Sequence, residues 1–335
     1  MVFNFCEKNL GRVYIHCAIY SEAVGAMVNL KGKDIISLRE LKKDEIEYLL
    51  SRAADFEKIL QKEGYTNILE GKILATLFYE PSTRTRLSFV TAMHRLGGNV
   101  IGFSGPEGTS AVKGENLSDT IRTIDNYADV IAIRHPEEGS AKLAAQLSTR
   151  PIINCGDGSH AHPTQTLLDL YTIRKEKGKI NGQKVALVGD LKYGRTAHTL
   201  AYALALFGAD MIFVSPESLS MPKDVTTELK DKFEIEIKEY TKLENIVKDA
   251  DVLYITRIQK ERFPDPGEYE KVKGAYKIDL NVLENAKKDL IVLHPLPRVY
   301  EIDPELDNTK FAKYFKQAYY GIPVRMAILA SVLGK

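Results

Sequence analysis

From residue 71 onward, short apolar runs alternate with longer runs in which apolar positions recur every three or four residues, a pattern that predicts strands joined by helices. Ahead of it, residues 40–60 place Leu41, Ile46, Leu49 and Leu50 at helical spacing behind the apolar pair Ile35-Ile36. Residues 73–79 then read as a strand, 83–96 as a helix, 100–103 as a strand and 117–127 as a helix. Further strands are expected at 130–133 and 151–154, with a helix over 138–147 between them. Strands that are apolar on both faces and joined by helices imply a parallel sheet covered on both sides, an α/β layer domain.

A helix over 163–175 leads into the charged, glycine-containing segment 175–182, which suits a domain junction. The alternation restarts with a strand at 185–188, a helix at 196–207, a strand at 211–214 and a helix at 225–232. Runs at 235–240, 243–248, 252–255 and 290–293 complete it. The expected fold is therefore α/β, with two doubly wound parallel-sheet domains over 30–175 and 176–335. The closing helical run, 321–333, is apolar at Val324, Ile328 and Leu329 and is expected to pack back on the first domain.

Residues 12–30 are moderately apolar, follow Lys8 and Arg12, and contain Ala23-Val24-Gly25-Ala26, a superficial likeness to a secretory signal. His16, Ser21 and Glu22 interrupt the stretch, which a signal core or a membrane span would not tolerate. Residues 1–29 are read as an N-terminal extension or the product of an upstream start, with Met27 a plausible initiator. The expected location is the cytoplasm.

Composition narrows the function classes. A chain of 335 residues has material for two cored domains, and Lys plus Arg total 46 against 45 for Asp plus Glu. A net charge of +1 gives no whole-molecule field toward nucleic acid or an acidic membrane, so any anion binding has to be local. The 44% hydrophobic content excludes a largely disordered chain. Cys6, Cys17 and Cys155 are odd in number and lack CxxC spacing, which argues for a reducing compartment and against a zinc module.

The chemistry concentrates where strands end. Strand 73–79 runs into Glu80-Pro81 and then Ser82-Thr83-Arg84-Thr85-Arg86 at the start of a helix. Free backbone N–H groups and the helix dipole make such a turn an anion site, and Arg84 adds a bidentate fork for phosphate oxygens. Singly, Ser82 or Thr83 would be no more than an N-cap; five such residues together point to phosphate, with Arg86 the better candidate for a structural arginine. Strand 130–133 ends in Arg134-His135-Pro136. Strand 151–154 is followed by a loop containing His160 and by His162-Pro163-Thr164-Gln165, where His162 and Gln165 can face one crevice. Ligands of open parallel sheets collect beyond the carboxyl ends of strands, so these segments are expected to converge. His160 is read as a surface or core residue, and neither histidine has a carboxylate spaced for a metal.

With these residues in view, the chain resembles the catalytic subunits of the aspartate carbamoyltransferase family from about Leu30 to its end. The matching landmarks are Phe78-Tyr79-Glu80-Pro81-Ser82-Thr83-Arg84-Thr85-Arg86, Arg134-His135-Pro136, His162-Pro163-Thr164-Gln165, Gly189-Asp190-Leu191-Lys192-Tyr193-Gly194-Arg195, Thr256-Arg257-Ile258-Gln259 and His294-Pro295-Leu296-Pro297-Arg298. The resemblance implies carbamoyl phosphate in the first domain, its phosphate on Ser82, Thr83, Arg84, Thr85 and Arg134. It further implies that Thr85, Arg134 and His162 polarise the carbonyl. The NH2 would donate to Gln165 and to backbone carbonyls around Pro295 and Leu296, with Leu296 and Pro297 counted in the site. L-aspartate would be held by Arg195, Arg257, Gln259 and Lys113. Arg84, Thr85, Arg134 and His162 are the implied catalytic residues, with no metal and no cofactor.

The family's loop at 105–114 reaches a neighbouring subunit's site, which implies a homotrimer with shared active sites; here either Thr109 or Ser110 could take that loop's serine role. Separate zinc-containing regulatory chains are a further partner the family admits. The nearest competitor is another carbamoyltransferase, such as the ornithine enzyme, whose family places a cysteine in the segment matching 294–297. Pro295 and Arg257 favour aspartate. A dinucleotide-binding reading of Gly189-Asp190 fails because the spacing to Gly194 does not form GxGxxG, and a non-catalytic relative is disfavoured by the full set of site residues.

Overall fold

The computed structural model describes residues 28–335 apart from 159, 245, 261, 262 and 264. The readings placed on residues 1–27, with Cys6, Cys17 and Met27, lie outside the described residues. Two parallel sheets carry the fold. In the first, β1 (Ile73–Phe78), β2 (Asn99–Ser104), β3 (Val130–His135) and β4 (Ile152–Asp157) stand in the order β2-β1-β3-β4. In the second, β5 (Lys184–Val188), β6 (Asp210–Val214), β7 (Lys238–Tyr240), β8 (Val252–Ile255) and β9 (Ile291–Leu293) stand in the order β7-β6-β5-β8-β9. Strand order reverses between β1 and β3 and again between β5 and β8. Doubly wound sheets open a crevice at such switch points, beyond the carboxyl ends of the strands.

The helices follow from their apolar stripes. In α1 (Lys43–Lys62), Ile46, Leu49, Leu50, Ala53 and Phe56 are buried at helical spacing. Helices α2 (Thr83–Arg95), α3 (Leu117–Ile124) and α4 (Ser140–Leu147) connect the strands of the first sheet. Helix α5 (Pro163–Lys177) starts with proline at its first turn and ends at Gly178, whose φ of 78° suits the left-handed cap. It is buried on every face from Pro163 to Ile173, as befits a helix lying inside the molecule. The second sheet is served by α6 (Arg195–Leu206), α7 (Lys223–Phe233) and α8 (Pro266–Val272). One hydrophobic cluster runs from Leu49 and Phe89 through Leu167 and Tyr171 to Leu187 and Leu204, so the two halves share a core.

The last helix, α9 (Tyr314–Val332), packs on α1, α2 and α5, the predicted return to the first half. It begins two turns earlier than the sequence pattern suggested, and Tyr314, Gln317 and Tyr320 in those turns are buried. Three other expectations change. The described residues of the run at 243–248 are bends and turns; α8, a short segment opening on Pro and Gly, was not anticipated; and β2, expected to be covered, is a largely exposed edge strand. No helix among the described residues is long and apolar enough to cross a membrane.

Leu329 is fully buried in the shared cluster. Leu329→Ala should therefore lower unfolding free energy by about 2–5 kcal/mol in denaturant titration. A loss below about 1 kcal/mol would show that α9 does not clamp the first half.

Candidate active site

Both switch points open into one crevice of about 490 Å³, a volume suited to small polar ligands. From the first half it is walled by the turn after β1, by β3 and by the start of α5. The second half contributes the loops after β5, β8 and β9, and α9 adds Gln317, Ala318 and Arg325. Ser82 caps α2 through its backbone conformation alone, and its side chain makes no capping bond. That hydroxyl, on the crevice wall, is left for a ligand. Thr85 is buried one turn into the helix, with Oγ1 3.4 Å from His162 Nε2.

Arg134, at the end of β3, donates from Nη2 to Glu80 Oε1 (2.9 Å) and from Nη1 to the Cys155 carbonyl (3.2 Å). Its Nε is buried without a hydrogen-bond partner. Arg195 donates to the Gly158 carbonyl, and the Arg134 and Arg195 guanidinium groups close over Gly156. A Cβ built there would stand 2.9 Å from one and 3.1 Å from the other, and φ is +116°, so glycine is required twice over. Burial and the Arg134 charge also draw the Arg84 pKa down. Arg325 is 2% exposed, lies over the Phe89 ring at 5.1 Å, and its pKa is lowered to about 10 by burial. It stays charged at neutral pH.

This concentration of positive charge acts on His162. The imidazole is buried at the N-cap of α5, and burial, then Arg134, Arg195 and Arg325, hold its pKa well below 6.5. A neutral ring can donate one hydrogen bond to a carbonyl oxygen without serving as an acid at pH 7. Gln165, one turn on, donates from Nε2 to Asp169 Oδ1 (2.8 Å). Burial pushes the Asp169 pKa up to about 7, against donors on Gln317, Tyr254 and Gln165 and the charge of Arg325.

The loop after β9 is built by a second buried histidine. His294 Nδ1 accepts from Leu296 N (2.7 Å), so its Nε2 donates to Glu301 Oε1 (2.8 Å). Glu301 also accepts from Val299 N and Tyr300 N. These bonds hold Leu296 at φ +57°, a conformation costly for leucine and typical of ligand clamps. In the second half, Asp190 Oδ1 accepts from Tyr193 N (2.9 Å), shaping the loop that delivers Arg195.

The crevice thus brings together Ser82, Arg84, Thr85, Arg134, His162 and Gln165 from the first half and Arg195, Arg257, Gln259, Leu296 and Pro297 from the second. Thr83 is exposed outside it, and so is Lys113, in the short 3-10 turn Ser110–Lys113. Arg86 does not reach the wall either. His160 pairs with Asp157 Oδ2 at 3.2 Å, away from the crevice. Sequence reasoning passed over Arg325 and Gln317 as site residues and gave Glu80 no role. The lone arginine in the apolar run of α9 was the available signal for Arg325.

The chain also matches known proteins over most of its length. The family model described as "Aspartate/ornithine carbamoyltransferase, carbamoyl-P binding domain" matches residues 33–175, and "Aspartate/ornithine carbamoyltransferase, Asp/Orn binding domain" matches residues 181–332. The aspartate carbamoyltransferase catalytic subunit of Thermococcus kodakarensis is 57% identical over 304 residues, covering 91% of this chain and 98% of the relative. The crystal structure of the catalytic subunit of M. jannaschii aspartate transcarbamoylase superposes with TM-score 0.84 at 58% identity, covering 90% of this chain and 98% of that one. Aspartate transcarbamoylase from Trypanosoma cruzi, crystallised with carbamoyl phosphate and aspartate, gives TM-score 0.87 at 40% identity, covering 91% and 98%.

Because burial and three arginines keep the imidazole neutral, the His162 ring resonances should not move between pH 8 and pH 6 in an NMR titration. A protonation midpoint near 6.5 would contradict the electrostatic picture. The sign also fixes a stability effect: below pH 6.5 the unfolded chain binds a proton that the buried ring refuses, so His162 makes folding less favourable as pH falls.

Proposed function

The chain belongs to the aspartate/ornithine carbamoyltransferase family, and from that premise we infer that it transfers the carbamoyl group of carbamoyl phosphate to the amine of L-aspartate. The products are N-carbamoyl-L-aspartate and phosphate. The observation that carries this reading is the meeting of Arg84 and Arg134 from one sheet with Arg195 and Arg257 from the other, across a crevice whose join is a neutral histidine and a glutamine. Such a distribution suits a phosphate at one end and a dicarboxylate at the other. An acceptor with a cationic end, such as ornithine, would meet Arg195 and Arg257 with like charge.

In this scheme the first half, over 30–175, binds carbamoyl phosphate and the second, over 176–335, binds aspartate. Ser82, Arg84, Thr85 and Arg134 hold the phosphate, with the unused Ser82 hydroxyl and the unpartnered Arg134 Nε as support, while Thr83, whose side chain lies outside the crevice, offers only its backbone N–H at the helix start. Thr85, Arg134 and His162 donate to the carbonyl oxygen. Gln165 Oε1 and the backbone carbonyls around Pro295 and Leu296 accept from the NH2. Arg195, Arg257 and Gln259 take the aspartate carboxylates. The neutral amine nitrogen attacks the carbonyl carbon and gives a tetrahedral oxyanion, which collapses as the bond to phosphate oxygen breaks and one proton passes from the nitrogen to the departing phosphate. Orientation of two anions and donors placed at the developing oxyanion supply the catalysis; no nucleophile on the protein is needed.

Three copies are proposed to assemble so that Lys113 of one completes the crevice of its neighbour. The exposed edge strand β2, with Ile101, and the exposed Leu87 and Val112 support such an assembly. Thr109 Oγ1 is occupied, donating to the Pro106 carbonyl and accepting from Ala111 N, which leaves the exposed Ser110 as the hydroxyl that travels with Lys113. The reaction is placed in cytoplasmic pyrimidine biosynthesis.

Colorimetric assay of carbamoylated amine should show product from L-aspartate and none from L-ornithine; product from ornithine alone would overturn the assignment. His162→Ala should lower turnover about 100 to 1,000-fold, the range for loss of one oxyanion donor, and Arg84→Ala more. Near-normal turnover of the Arg84 variant would sink the phosphate assignment.

If active sites are shared, refolding Lys113→Ala together with Arg84→Ala should restore part of the activity that each variant lacks alone, in a particle of three chains. A monomeric active enzyme would refute sharing.

A further inference from the structure

Asp169 is fully buried on α5, one turn beyond Gln165, and is not part of the crevice wall. Its carboxylate joins three segments of the chain. Oδ1 accepts from Gln165 Nε2 (2.8 Å) and Gln317 Nε2 (2.6 Å), and Oδ2 accepts from the Tyr254 hydroxyl (2.8 Å). All three partners donate, so each glutamine turns its NH2 inward to the carboxyl oxygens. For Gln165 this leaves Oε1 as the atom available to the crevice. For Gln317 it frees Oε1 to accept from His294 N (2.9 Å), at the base of the turn that carries Pro295, Leu296 and Pro297.

Both acceptors assigned above to the carbamoyl NH2 are therefore set by one buried group. We propose that Asp169 is a positioning residue that makes the site require a hydrogen-bond donor on the transferred group, discriminating carbamoyl phosphate from acetyl phosphate, its analogue with CH3 in place of NH2. The inference rests on the carbamoyl phosphate reading. A methyl group would leave Gln165 Oε1 and the turn carbonyl without a donor, and buried acceptors left unpaired are the strongest basis for rejecting an isostere. Without the carboxylate, Gln165 is free to flip and present its own NH2, which a methyl group tolerates as well as an amide does.

The measured quantity is the ratio of the inhibition constant of acetyl phosphate, competing with carbamoyl phosphate, to the KM for carbamoyl phosphate. Asp169→Ala should narrow this ratio about tenfold, a typical effect of one buried hydrogen bond. Asp169→Asn should hold it within about twofold of the parent, because the amide oxygen can still accept from both glutamines while its NH2 turns to Tyr254. Tyr254→Phe removes a hydrogen bond from the same carboxylate without touching either glutamine, and should also leave the ratio in place. A folded Asp169→Ala enzyme with the parent ratio overturns the proposal, as does an equal narrowing in Tyr254→Phe, which would mark general loosening. Should Asp169→Ala fail to fold, Gln317→Leu decides: narrowing supports the proposal and an unchanged ratio overturns it. An unmodified enzyme that does not carbamoylate aspartate would instead bring down the substrate reading, and this inference with it.

Discussion

Guanidinium groups brought together without anions repel one another, and the molecule is organised around tolerating that repulsion. Arg134 and Arg195 approach over a glycine, Arg84 feels the charge of Arg134, and Arg325 is sunk in an apolar helix against Phe89. Loose side chains would swing apart into water. Here each is tethered: Arg134 by Glu80 and the Cys155 carbonyl, Arg195 by the Gly158 carbonyl, Arg325 by close packing. The arrangement is preorganised for negative charge, so little rearrangement is needed when two anions arrive. Burial, reinforced by the same field, keeps the histidine among these arginines neutral.

Such tethering needs a rigid frame on both sides, which the two sheets supply. Each ends its central strands at the crevice, and α5 lies between the halves, buried all round, with His162 at its first residue boundary and Gln165 one turn in. Polar groups inside this frame are matched to one another. His294 is fixed by Leu296 N and Glu301, and Asp169 takes three donors. Cys155, by contrast, has its thiol pushed up to about 12 by burial and is chemically inert where it lies.

The parts of this design that can be read from sequence are those written locally. Alternating strands and helices follow from apolar periodicity, and the turn from Ser82 to Arg86 announces an anion site by residue type alone. Arg134, His162, Arg195 and Arg257 each stand just past an apolar run that forms a strand or start the helix after it, so the parallel-sheet rule directs them to one crevice. What the pattern does not carry is pairing at a distance. Asp169 and Gln317 are 148 residues apart, and nothing near either predicts their bond. Arg325 is masked by the apolar residues around it, and the exposure of β2 depends on where the strand falls in the sheet. The first two turns of α9, residues 314–320, were not read as helix, although Tyr314, Gln317 and Tyr320 in them are buried.

The position of α9 in the chain has a consequence for the order of events during synthesis. Strands β1 to β4 and helices α1 to α5 are made first, yet the helix that covers α1, α2 and α5 emerges only after the whole of the second sheet. Until then the apolar faces of Leu49, Phe89 and Leu168 lack that cover, and the nascent first half is a partly assembled body, open to proteases and chaperones. Ordering of the crevice, which borrows Gln317 and Arg325 from the same helix, is thereby deferred to the final closure of the chain on itself.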